Sequence, residues 1–169
     1  MWTDIVESTL IEILYHLGAL AAAFVLALPI AWERERSARQ MGLRTFPLVA
    51  LASTGYILVA QAALGDDPQA MARIVQGLMT GIGFLGGGAI VKQGVDVRGL
   101  ATAASIWNTA AVGAAVAFDR YEIAILLSAV NFAVLRGMRP VKREIDDERE
   151  AEEEPWEEDR EESVGEEPS

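Results

Sequence analysis

Four stretches of this chain run for 18 to 21 residues without an Asp, Glu, Lys or Arg: Ile13–Trp32, Thr45–Gly65, Ile74–Val91 and Gly99–Phe118. A bilayer core about 30 Å thick takes about 20 helical residues to cross. A helix on the surface of a water-soluble domain keeps one polar face, and blocks as uniform as these keep none. The blocks therefore predict a polytopic membrane protein built as an all-α helical bundle. A fifth apolar block, Ile123–Leu135, has only 13 residues. Tyr121 and Glu122 before it, and Arg136, Gly137 and Met138 after it, can snorkel and stretch it to about 17 residues, the lower limit for a span.

Charge decides how many spans there are. Counted from the end of the first block, the successive connectors carry 4, 1, 2, 1 and 4 basic residues, and the segment before the first block carries none. The richest are Arg34, Arg36, Arg39 and Arg44 after the first block, and Arg136, Arg139, Lys142 and Arg143 after the fifth. Basic connectors mark the cytoplasmic side. The alternation predicts five spans, at about 10–32, 45–65, 74–91, 99–118 and 121–138, in a membrane domain covering 1–143. The N-terminus is then outside and the C-terminus in the cytoplasm of a prokaryotic inner membrane. Asp4 and Glu7 stand where a cleavable signal peptide would carry basic residues, so the first span is expected to be permanent.

Residues 144–169 hold 15 acidic and 2 basic residues, a net charge of −13 that outweighs the +2 of everything before it. Such a segment buries too little apolar area to offset its ordering entropy. It is expected to be a disordered cytoplasmic tail that keeps the chain solvated.

Residue counts exclude several chemistries. With no cysteine and a single histidine, His16, there is no disulfide, thiolate zinc site or multi-histidine cluster. No nucleophile and base can be paired, so the chain is expected not to be an enzyme. The small net positive charge of the membrane domain also predicts no nucleic-acid partner. No cofactor is expected, although Mg²⁺ remains open.

Two constellations remain. The third block is dense in glycine: Gly77, Gly81, Gly83, Gly86, Gly87 and Gly88. Its small-xxx-small frames remove side chains from a strip and let a neighbouring backbone approach. Ala103, Ala104, Ala110, Ala111 and Ala114 of the fourth block offer a matching surface, and a second copy or another membrane complex could use the same strip. The alternative is a helix unwound at Gly86-Gly87-Gly88, with carbonyls lining an ion path. The second constellation lies at the cytoplasmic face: Glu33, Arg34, Glu35, Arg44, Thr45, Arg98 and Thr102. Glu33 and Glu35 end a helix, where the macrodipole disfavours anions. They are expected to pair with Arg44 and Arg98, either as an ion-pair network that fixes helix order or as a charged vestibule. Gln61, Asn108 and Asn131 lie inside blocks and are expected to hydrogen-bond between helices.

Taken in order, Glu33-Arg34-Glu35, Gly42-Leu43-Arg44-Thr45, Gly81-Ile82-Gly83-Phe84-Leu85-Gly86-Gly87-Gly88 and Val97-Arg98-Gly99-Leu100-Ala101-Thr102-Ala103-Ala104 resemble the motifs of the MgtC/SapB family, over roughly residues 12–140. Three departures stand out. Ala31-Trp32 replaces a glycine-containing stretch, Phe46 replaces a histidine after the Arg-Thr pair, and the acidic tail stands where some members carry a cytoplasmic globular domain. The resemblance implies an inner-membrane protein linked to magnesium homeostasis and survival at low magnesium. For some members it also implies restraint of the ATP synthase through membrane contacts. Two functions follow as expectations: a non-enzymatic modulator of a membrane partner, or a small transporter or channel for Mg²⁺ or another ion through a broken third span.

Overall fold

The computed structural model describes residues 2–37, 42–65, 67–93 and 96–138. The acidic segment 144–169 and the basic residues Arg39, Arg139, Lys142 and Arg143 lie outside the described residues. The described chain is helical apart from one short hairpin. Helix α1 covers Trp2–Ser37, α2 Thr45–Leu64, α3 Pro68–Gly88 and α4 Leu100–Ala117. Helix α5 covers Tyr121–Met138. Between α3 and α4, β1 (Val91–Gln93) pairs antiparallel with β2 (Asp96–Arg98), Val91 opposite Arg98. One compact unit ends at Leu135, and the described part of the next unit, residues 136–138, continues α5 as helix.

Helix α2 lies between α1, α3 and α4, and α4 packs on α1, α2 and α3. The core is built from small residues, with Ala23, Ala27, Ala50 and Ala117 fully buried. In lipid, helices gain little from excluding water and associate through close packing instead. Gly113 shows how close this packing is. A Cβ there would stand 2.3 Å from the Ala50 carbonyl oxygen, so α2 and α4 meet backbone to backbone. The Thr54 hydroxyl sits at the same crossing, 3.0 Å from the Ala50 carbonyl oxygen and 2.8 Å from that of Gly113.

Side-chain bonds align the helix ends. Glu35 near the end of α1 holds the backbone before α2, and Arg34 bonds Thr102 in the first turn of α4. At the opposite end, Gln61 of α2 donates to the Ala117 carbonyl at 3.2 Å, and the Tyr15 hydroxyl lies 2.7 and 2.8 Å from the carboxylate oxygens of Asp119. The chain leaves α2 at one level and begins α4 at the other, so α3 returns across the whole bundle. Its 21 residues reach about 31 Å. Helix α5 runs back beside α1 and α4: Ser128 donates to the Leu26 carbonyl at 2.6 Å and Asn108 donates to that of Leu127 at 3.2 Å. Pro29 of α1 has no N–H to donate to the Val25 carbonyl one turn back.

Among the described residues, four helices are long and apolar enough to cross a membrane: Val6–Arg36 of α1, then α2, α4 and α5. Helix α3, the remaining one of the five helices, is less apolar and is not among them. Its helix also starts at Pro68 rather than near 74, taking in Gln69, Arg73 and Gln76, and stops at Gly88 rather than 91. Asp67 explains the early start. Its carboxylate accepts from Gln69 N at 2.9 Å and Ala70 N at 3.1 Å, with proline in the first helical position.

Candidate functional site

The last turns of α1 set the charged end of the bundle. Residues 27, 30, 31 and 34 recur at helical spacing on the face that packs inward, so Arg34 is carried under its neighbours. Glu33 is fully buried and Arg34 nearly so, whereas Glu35 and Arg36 are exposed. The Arg34 guanidinium donates to the Thr102 hydroxyl, a charge-assisted bond that ties α1 to α4. Glu33, Arg34 and Arg98 all have interaction partners. Arg36 stacks over Trp32, with its guanidinium carbon 5.0 Å from the ring centroid.

Glu35 closes the α1–α2 turn. Its Oε2 accepts from Leu43 N at 3.0 Å. Gly42 lies so close that a Cβ would meet that oxygen at 2.3 Å and the Glu35 Cα at 2.7 Å. Glu35 thus binds a backbone N–H of the turn that carries Arg44, itself exposed at the N-cap of α2. Thr45 begins α2 half-buried. At the other motif, Arg98 closes β2 and is exposed, and Gly99 has φ +92°, a left-handed conformation that suits glycine. A Cβ on Gly99 would also strike the Ala89 carbonyl oxygen at 2.0 Å. The glycine lets the hairpin fold over the end of α3 and launch α4.

The glycine strip is placed differently from the packing expectation. Only Gly86 is buried, facing Ala103 of α4 at ordinary contact distance. Gly77, Gly81, Gly83, Gly87 and Gly88 are exposed, with open space where a Cβ would point. The helix is continuous through Gly88, so the third span is not broken at Gly86-Gly87-Gly88. Phe84 projects from the open side at 83 % exposure.

A polar row also runs through the bundle. On α4, Thr102, Ser105 and Thr109 are buried at spacings of three and four residues, and Ser53 and Thr54 of α2 are buried as well. Ser105 lies 3.3 Å from the Asn131 amide oxygen of α5. Gln61, Asn108 and Asn131 bond between helices. Ser53, Ser105, Thr109 and Ser128 escaped notice in the sequence; the i, i+3, i+7 recurrence of hydroxyls from Thr102 was the available signal.

The MgtC family model matches residues 20–144. The chain belongs to the MgtC family. The chain is 38 % identical to Protein MgtC of Brucella abortus over 129 residues, 76 % of this chain and 53 % of that protein. With Protein MgtC of Salmonella typhimurium it shares 36 % over 124 residues, 73 % of this chain and 52 % of that one. With Protein SrpB of Synechococcus elongatus it shares 34 % over 136 residues, 73 % of this chain and 75 % of that protein. It thus spans about half the length of the MgtC proteins it matches. No solved structure matches. The match covers α2 to α5 and the charged end of α1, the parts of this MgtC-family chain that build the site above.

Proposed function

We propose that this MgtC-family chain is a non-enzymatic modulator of a partner membrane complex in a prokaryotic inner membrane, supporting growth when magnesium is scarce. The observation that carries this reading is the outward face of α3, where five glycines stand open at the surface of the folded bundle. A helix of a partner can approach such a face more closely than any other part of the chain. The charged end serves the same reading as a brace: Arg34 on Thr102 and Glu35 on the α1–α2 turn hold the helices that support α3. The ATP synthase is the first partner to test, following the family resemblance. The orientation proposed is N-terminus outside and C-terminus inside, with α3 as a fifth crossing.

A second reading, passage of Mg²⁺ or another ion, is favoured by the buried hydroxyl row of Thr102, Ser105 and Thr109. One pair of measurements separates the two. The full chain, reconstituted in liposomes loaded with a Mg²⁺-sensitive dye, is expected to give no flux above protein-free vesicles. In membranes it is expected to co-purify with the ATP synthase and to lose that association in Gly81→Leu. Flux above the blank that falls in Thr102→Val would overturn modulation in favour of transport.

A further inference from the structure

The other described helices leave one face of α1 open. Ala21, Val25, Pro29, Trp32 and Arg36 are exposed, and their spacings of three and four residues put them on one stripe. Val25 is 59 % exposed and Trp32 51 %. The apolar span of α1 ends at Arg36. The stripe therefore runs from aliphatic side chains to an indole and then to a guanidinium. A phospholipid presents a matching order, from its tails through its glycerol to its phosphate.

Arg36 stands at the depth of that phosphate. The packed core at this end closes with Ile30 and Ala31 in one cluster with Phe46 and Val49. Arg36 lies about 8 Å beyond Ala31 along the helix axis, and headgroups add about 5–8 Å to each side of the apolar layer. The Trp32 ring holds the guanidinium there, its carbon 5.0 Å from the ring centroid. Stacking occupies the face of a guanidinium and leaves its N–H edge available to an oxygen acceptor. The two carboxylates nearest in the chain are turned to other tasks. Glu33 is fully buried, and Glu35 accepts from Leu43 N.

We propose that Trp32 and Arg36 form a headgroup site for an anionic phospholipid of the leaflet at the charged end of the bundle. The guanidinium donates to the phosphate oxygens, and the indole rests at the level of the glycerol. An anionic lipid is preferred to a zwitterionic one because it carries no ammonium of its own to compete for the phosphate. The site uses neither the glycine face of α3 nor the bond of Arg34 to Thr102, so it stands apart from the modulator reading.

The full chain can be placed in nanodiscs holding equal amounts of phosphatidylglycerol and phosphatidylethanolamine, and the lipids it retains counted by native mass spectrometry. The wild type is expected to retain phosphatidylglycerol ahead of phosphatidylethanolamine by about fivefold, the preference that one cation gives at a headgroup surface. Arg36→Gln is expected to lose this preference and Arg36→Lys to keep part of it. Trp32→Leu leaves the charge but removes its platform, and is expected to weaken the preference. Lys92→Gln removes a cation from the same end and is expected to leave it intact. Inorganic phosphate in millimolar excess is expected not to displace the lipid. An unchanged preference in Arg36→Gln, or an equal loss in Lys92→Gln, would overturn the proposal. Displacement by phosphate would overturn it too, and would assign the pair to a soluble anion.

Discussion

Gly113 and Gly77 look alike in the sequence, each a small residue among apolar neighbours, yet their surroundings are opposite. A methyl group added at Gly113 meets the Ala50 carbonyl oxygen, whereas one added at Gly77 meets nothing within 4 Å. Overpacking a close contact typically costs about 1–3 kcal/mol, and removing glycine from an exposed helical position gains about 0.5–1 kcal/mol. Gly113→Ala is therefore expected to lower the midpoint of thermal unfolding in detergent, and Gly77→Ala to leave it unchanged or raise it. A Gly77→Ala loss equal to that of Gly113→Ala would contradict this placement. The density of glycine in the third block was plain in the sequence, but density is not contact. Which glycine another backbone touches depends on a partner helix some 60 residues away in the chain.

Helices were easier to read than their limits. Charge-free blocks mark where lipid can be met, while helix ends follow from capping groups and tertiary bonds. Helix α3 thus begins at the Asp67 cap and carries Arg73 inside it. Helix α1 runs well outside the 10–32 interval. The β1–β2 hairpin was missed for a related reason: three residues per strand are too few to show alternation. The outer end of α1 is held to the bundle by Tyr15 on Asp119, a residue at φ +56° in the turn before α5. Tyr15→Phe removes that tie and is expected to speed amide hydrogen exchange in α1 near Tyr15 while leaving the helix around Arg34 protected. Equal exchange in both proteins would show that the bond does not restrain the helix.

At the scale of the whole molecule, the proposed crossing of α3 rests on connectivity rather than on apolar content. Its neighbours fix both of its ends, and the chain has to travel between them. Single cysteines at Asp67 and Lys92 bracket the helix. In intact cells, a membrane-impermeant maleimide is expected to label Asp67→Cys and to spare Lys92→Cys until the membrane is opened. Labelling of both from outside would remove α3 as a crossing. The all-helical bundle class followed from apolar blocks that any single sequence displays. The polar row was less visible, because serine and threonine among alanines carry no charge and disturb apolarity little.

The backbone contact at Gly113 also bears on permeation. Where two carbonyl-bearing main chains touch and share one threonine hydroxyl, no room is left for a hydrated ion. Any solute traversing this chain must skirt the α2–α4 seam instead of threading it, which directs the search for a conduit to the flanks where α1 and α5 meet α4.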